Sequence, residues 1–229
     1  MIDVVNFKSD FTDPIFGPIF VKGSEPGDVL KVEFLDLQCA SYGWTAILKG
    51  FGIIAEDFPD PYLKIWDLSP AQVEKGYAVL KEGIHIPIRP FLGVVGVAPG
   101  EAGEFSTIPP LDTGGNIDCK YITRGSTLYL PIRVDGALFS CGDGHAAQGD
   151  GEVGGSAIET PMKATVRLTV EKNKSWLTSP QYLTHPESLA QAEVLWKGEY
   201  VVLELTRICL KRRERHASIC WLGLSTRKI

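Results

Sequence analysis

Residues 29–37 carry the clearest pattern in the chain. Leu30, Val32 and Phe34 alternate with Lys31, Glu33 and Leu35, and a period of two predicts a half-buried strand. Residues 163–172 repeat it, with Ala164, Val166, Leu168 and Val170 on one face. The β-branched run at 91–97 contains two glycines and predicts a buried strand with close backbone neighbours. Shorter strands are expected at 16–21, 62–66, within 76–87, at 121–134, 137–140 and 200–205, with a turn at 23–28. Residues 43–52 read as an apolar loop, with Trp44 and Phe51 filling the core. Helical signals are sparse. Ser69-Pro70 can open a short helix, and residues 186–196 place Leu189, Ala192, Leu195 and Trp196 at helical spacing. The expected fold is mainly β, a β-sandwich or jelly-roll-like core with a small α+β C-terminal part. The character changes after Lys172, which divides the chain into a β domain at 1–172 and a C-terminal extension at 173–229.

Composition adds limits. A chain of 229 residues, 44% hydrophobic and 22% charged, is of ordinary globular make-up. Its 24 glycines and 15 prolines suit a turn-rich β protein. A net charge of −5 argues against a nucleic-acid partner, and the basic cluster at 211–215 reads as a solvated face. No stretch has the length of a transmembrane helix, and the acidic start lacks the basic, then apolar, pattern of a signal peptide. Five cysteines with no CxxC pair suggest neither a disulfide framework nor a cysteine zinc site. A cytosolic, reduced protein without membrane association is expected.

The candidate chemistry concentrates at 142–152, GDGHAAQGDGE, where Asp143, His145, Gln148, Asp150 and Glu152 are separated by glycines. A glycine-spaced loop can turn several polar side chains toward one point, and histidine with carboxylates at one point suits a divalent metal. Asp118 lies upstream, after Gly114-Gly115-Asn116, and Glu159 downstream. Asp118 and Asp150 equally suit turns bonded to their own backbone, and Glu159 an ordinary surface position. For His145, amid carboxylates and glycines, the ligand reading leads. His85, between Ile84 and Ile86, reads as a buried structural histidine. Cys119 and Cys141 read as small buried residues beside the polar segments.

Several segments together resemble the acetamidase/formamidase family of small-amide hydrolases. They are Gly17-Pro18-Ile19 and residues 21–28 (VKGSEPGD), then Pro90-Phe91-Leu92-Gly93 and Gly96-Val97-Ala98-Pro99. The closest are Gly114-Gly115-Asn116-Ile117-Asp118, Leu130-Pro131-Ile132, residues 136–140 (GALFS), and 142–152 continuing to Ile158-Glu159. The likeness spans about three quarters of the chain, and its multi-residue motifs are specific. It implies a mainly β hydrolase of formamide, acetamide or related amides with a bound divalent metal, zinc or alternatively calcium. Relative to the family, the chain begins at what would be its interior, without a histidine-containing N-terminal portion. Its tail diverges from Gln191 onward.

Amide hydrolysis needs an activated water, a stabiliser for the oxyanion and an acid for the departing amine. A metal supplies the first two. On this reading Asp118, Asp143, His145 and Glu159 hold the metal, Glu152 does the general acid/base work, and Asn116 and Gln148 bind substrate. The expected partner is a small amide, with a symmetric homo-oligomer as the assembly. A second reading is an inactive or binding-only remnant of an amidase. A Ser or Cys nucleophile is a third, but no Gly-x-Ser-x-Gly elbow occurs.

Overall fold

The alternation in residues 29–37 becomes strand β2 (Val29–Cys39), whose Val29, Leu30, Val32 and Phe34 are buried while Leu35 is exposed. The computed structural model describes residues 13–184 and the backbone of two later strands, 200–211 and 218–225. β12 (Met162–Glu171) runs antiparallel along one edge of β2, from Met162 opposite Cys39 to Glu171 opposite Val29. β9 (Thr127–Pro131) pairs with its other edge. β13 (Gln181–Leu183), β14 (Tyr200–Lys211) and β15 (Ser218–Ser225) extend this into a six-stranded sheet ordered β12-β2-β9-β13-β14-β15.

The second sheet is built on β7 (Phe91–Gly96) and β10 (Phe139–Ala147). Its order is β4-β3-β11-β10-β7-β8, where β3 is Tyr42–Ile47, β4 Tyr62–Asp67, β8 Gly114–Asn116 and β11 Ile158–Glu159. β1 (Ile15–Ile19) pairs with the first part of β10. All six residues of β7 are buried, as a glycine-containing apolar run predicts. The main core gathers Leu30, Val32, Phe34, Leu128 and Leu130 of one sheet with Leu92, Val95 and Phe139 of the other. That is the packing of a sandwich. Burial of a side chain such as Phe34 contributes about 1.5–3 kcal/mol. Ala164, Val166, Leu168 and Val170 pack against this core, as their alternation predicts. The hairpin of β5 (Tyr77–Lys81) and β6 (Ile84–Pro87) joins a second cluster through Ala78, with Trp66, Leu68, Ala146 and Ile158.

Helix α1 (Pro70–Glu74) forms where Ser69-Pro70 predicts, with proline at its start. Three expectations change. Residues 42–47, read as loop, form β3, because their Trp, Thr and Ile pair across to β4. Only 127–131 of the segment 121–134 are strand. The preceding turn is fixed by the Ser126 hydroxyl donating to the Thr123 carbonyl at 2.6 Å. His85 is exposed rather than buried, stacked on Tyr77 with ring centroids 4.2 Å apart. Cys39, Cys119 and Cys141 are free thiols. The helix expected at 186–196 and most of the basic cluster lie outside the described residues. Among the described residues no helix is long and apolar enough to cross a membrane.

Candidate functional site

The glycine-rich segment is not a loop through residue 147. It is the second half of β10, and the strand period puts Asp143 and His145 on the same face. The glycines between them allow close neighbours rather than turns. A Cβ on Gly142 would come 2.5 Å from the Pro14 carbonyl oxygen, and one on Gly144 2.6 Å from that of Thr160. On one edge, β7 sets Phe91 opposite His145 and Leu92 opposite Gly144. On the other, β1 begins with Ile15 opposite Gly142, and farther along β10 its place is taken by β11, with Glu159 opposite His145.

Asp118 comes from the segment after β8. The amides of Ile117 and Asp118 both donate to the Gly93 carbonyl, at 2.9 and 3.2 Å, hooking the chain over β7. Glu152 comes from the loop after β10, where its amide donates to Gly149 at 3.2 Å and its carbonyl accepts from Gly155 at 2.7 Å. Asp118, Asp143 and Glu152 have φ of 49°, 55° and 41°. Left-handed backbone at a non-glycine residue is strained, and such residues cluster at functional sites.

His145 lies at the centre, 1% exposed, its ring edge-on to Phe91 with centroids 5.0 Å apart. Nε2 is 3.0 Å from Asp143 Oδ1 and 3.1 Å from Glu159 Oε2. Nδ1 is 3.0 Å from Gln148 Oε1 and 3.8 Å from Asp118 Oδ1. Glu159 is held from behind, its Oε1 accepting from the Ala157 amide at 2.7 Å. Burial opposes a charge on His145, yet Asp143 and Glu159 outweigh it and push the imidazole up to about 11. Burial raises Asp118, partly countered by His145 and reinforced by Asp143. Burial, then the charge of Asp118, likewise lifts Glu152 well above the carboxylate range.

In the neutral ring that a cation requires, Nδ1–H donates to Gln148 and the Nε2 lone pair faces two carboxylate oxygens, three acceptors turned toward one point. Asp118 Oδ1 is buried without a hydrogen-bond donor. A cation satisfies both conditions, since carboxylates and a neutral imidazole are its ligands. Ligand atoms of Asp118, Asp143 and His145 lie within 4.8 Å of one another, as do those of His145, Glu152 and Glu159. The side chains present fit a divalent metal.

Five of the seven residues singled out in the sequence thus meet in one cluster. Gln148 touches His145 directly, the place of a group that orients a ligand. Asn116 sits apart, its Nδ2 donating to the Ile108 carbonyl at 3.1 Å. Asp150, 83% exposed, pairs with Lys120 at 2.7 Å. Two participants escape sequence reasoning. Gly93 lies beneath the cluster, where a Cβ would stand 2.8 Å from Asp118 Oδ1 and 2.9 Å from His145 Cε1, and closer still to Asp143 Oδ2. Only the close-neighbour signal of a glycine in a buried strand pointed there. Asp13 precedes β1, and burial with the charges of Asp143 and Glu159 raises it to about 6. No local pattern marks it.

The acetamidase/formamidase family profile matches residues 2–102 and 102–204. The chain is 30% identical over 199 residues to an acetamidase of Mycolicibacterium smegmatis, covering 60% of this chain and 48% of that protein. The structure of a predicted acetamidase/formamidase from Thermoanaerobacter tengcongensis superposes with a TM-score of 0.69 at 38% identity, over 75% of this chain and 55% of that one. A gamma lactamase from Delftia acidovorans superposes with a TM-score of 0.72 at 25% identity, over 80% of this chain and 58% of that one. The chain spans about half the length of the relatives it matches. With the profile covering well over half of its residues, the chain belongs to the acetamidase/formamidase family.

Proposed function

We propose that the cluster around His145 is the active site of a metal-dependent hydrolase of small linear amides, releasing ammonia and a carboxylate. The observation carrying this is the pairing of a buried imidazole Nε2 with Asp143 and Glu159 beside the donorless Asp118 Oδ1. Names of acetamidases and formamidases among the relatives support the substrate class. Asp118, Asp143, His145 and Glu159 would hold the ion, for which zinc suits the mixed nitrogen and oxygen donors and calcium is the alternative. Such an ion, when bound, polarises the amide carbonyl and acidifies water.

The chain's own residues do the rest. Gln148 fixes the His145 ring through Nδ1 and so keeps Nε2 directed at the centre. Burial and then the neighbouring carboxylates hold the Glu152 carboxyl well above its ordinary range, which favours the protonated form an acid needs. That proton goes to the amide nitrogen as the C–N bond breaks, and the carboxylate left behind takes the next one from water. Water supplies the oxygen of the new C–O bond, so one amide and one water give one carboxylate and one ammonium.

The test is ammonia release from formamide, acetamide and propionamide by the purified, zinc-supplemented protein, with and without a chelator. Release that the chelator abolishes is expected. A folded, metal-loaded protein that releases none would leave a binding-only relative of amidases.

A further inference from the structure

Glu152 sits in a loop whose own bonds are two short turns, yet its carboxyl must stay within reach of His145 and Glu159. What fixes that loop is a distant segment, 51–53, on the stretch between β3 and β4. The Ile53 amide donates to the Val153 carbonyl at 2.9 Å, directly after Glu152. Gly52 lies against Gly154 so tightly that a Cβ there would come 2.7 Å from the Gly154 carbonyl oxygen. The Phe51 ring covers Gly155, where a Cβ would fall 2.5 Å from ring carbon Cδ1. Both glycines have left-handed backbone, φ 96° for Gly52 and 77° for Gly155, so neither tolerates a side chain. Three successive residues of one segment therefore grip the three residues after Glu152. Further along, Ser156 Oγ bonds both the amide and the carbonyl of Ala46, tying this strip to β3.

We propose that Phe51, Gly52 and Ile53 are positioning residues for Glu152, a clamp that sets the acid/base carboxyl against the metal-binding cluster. The proposal rests on Glu152 as the proton carrier of amide hydrolysis. The grip is local to 51–53. Phe58, farther along the same stretch, lines the same apolar cavity of about 220 Å³ as Phe51 and is 49% exposed. It therefore serves as a control of equal chemistry.

The experiment compares Phe51→Ala, the conservative Phe51→Tyr, Phe58→Ala, Glu152→Gln and the double variant of Phe51→Ala with Glu152→Gln. Phe51→Ala should lower kcat for acetamide about 10- to 100-fold, as a misplacement near 1 Å does. KM and bound zinc should stay within about twofold, because the ligands of the ion do not move. Phe51→Tyr should recover most of kcat, and Phe58→Ala should leave it within about twofold. In the Glu152→Gln background, Phe51→Ala should cost nothing further. Equal kcat losses from Phe51→Ala and Phe58→Ala, or additive losses in the double variant, would overturn the clamp. Hydrogen exchange decides the matter independently of turnover. The bonded amides of Ile53, Glu152 and Gly155 should exchange at least tenfold faster in Phe51→Ala and unchanged in Phe58→Ala, and unaltered protection in Phe51→Ala refutes the proposal. An inactive wild-type protein would defeat the amidase reading while exchange still judged the clamp.

Discussion

Replacing Gly93 with alanine adds one methyl group where the site has no room for it. The new Cβ would lie 2.8 Å from Asp118 Oδ1 and 2.9 Å from His145 Cε1, and nearer still to Asp143 Oδ2. Ordinary contact begins near 3.4 Å, so Asp118 must retreat by roughly 0.6 Å, several times the ~0.2 Å that metal–ligand distances tolerate. The carboxylates cannot retreat freely, since Asp118 is hooked to the Gly93 carbonyl through its own amide. Zinc affinity should fall about 10- to 100-fold, the cost of displacing groups that support ligands. Overpacking a buried strand should also cost about 1–3 kcal/mol of stability, lowering Tm by roughly 2–4 °C for each of those kcal/mol in a chain of this size. Gly149→Ala is the control, because a Cβ there meets nothing within 4 Å. The assay is zinc titration by calorimetry, paired with thermal melts of the metal-free proteins. Wild-type zinc affinity in a folded Gly93→Ala protein would falsify the placement of the site over Gly93.

His145→Ala should strip bound metal from the protein, since it removes the only nitrogen among the candidate ligands; metal content after dialysis reads this, and a full complement rules out ligation. Glu152→Gln should lower kcat about 10²- to 10⁴-fold, the range for a general acid/base, while metal content stays intact. Phe139→Ala, at a side chain with no exposure in the main core, should cost about 3–5 kcal/mol in denaturant unfolding, against under about 0.5 kcal/mol for exposed Leu35→Ala. Asp28 provides a pH signature away from the site. Burial would raise its carboxyl, but Lys172 at 2.7 Å and the amides of Asn173 and Glu25 hold it below the usual range. A carboxyl lowered on folding stabilises above its unfolded value near pH 4 and loses that contribution as pH falls through the folded one. Urea midpoints of Asp28→Asn should therefore lie below wild type at pH 6 and converge with it toward pH 2–3.

Strands β2 and β12 were legible because one face of each meets the core and the other meets solvent, so burial writes a period of two into the residues. β10 was not legible past residue 140, because its glycines answer to the carbonyls of Pro14 and Thr160, which are remote in sequence. Read locally, glycine and aspartate together signal a turn. β3 was hidden similarly, its Gly43 required by the nearby Glu159 carbonyl. The ligand candidates could be named from residue type and clustering alone. Their geometry could not, since Asp143, His145 and Glu159 meet through strand register and Asp118 through a hook onto Gly93. Gln148 shows the same limit, as its contact with the imidazole could not be read from residue type.

The backbone at Asp118, Asp143 and Glu152 sets chemistry against durability. Each residue holds a conformation that glycine adopts freely, and each such strained residue costs about 1–3 kcal/mol. Glycine at any of the three would relax the chain and delete a carboxylate from a crowded, negatively charged cluster, at some entropic cost in the unfolded state. Selection for thermal resistance alone would therefore favour losing the carboxylates of this cluster in exchange for higher melting points. Any engineering campaign on this scaffold should screen turnover alongside heat tolerance, and should leave these three positions out of its libraries.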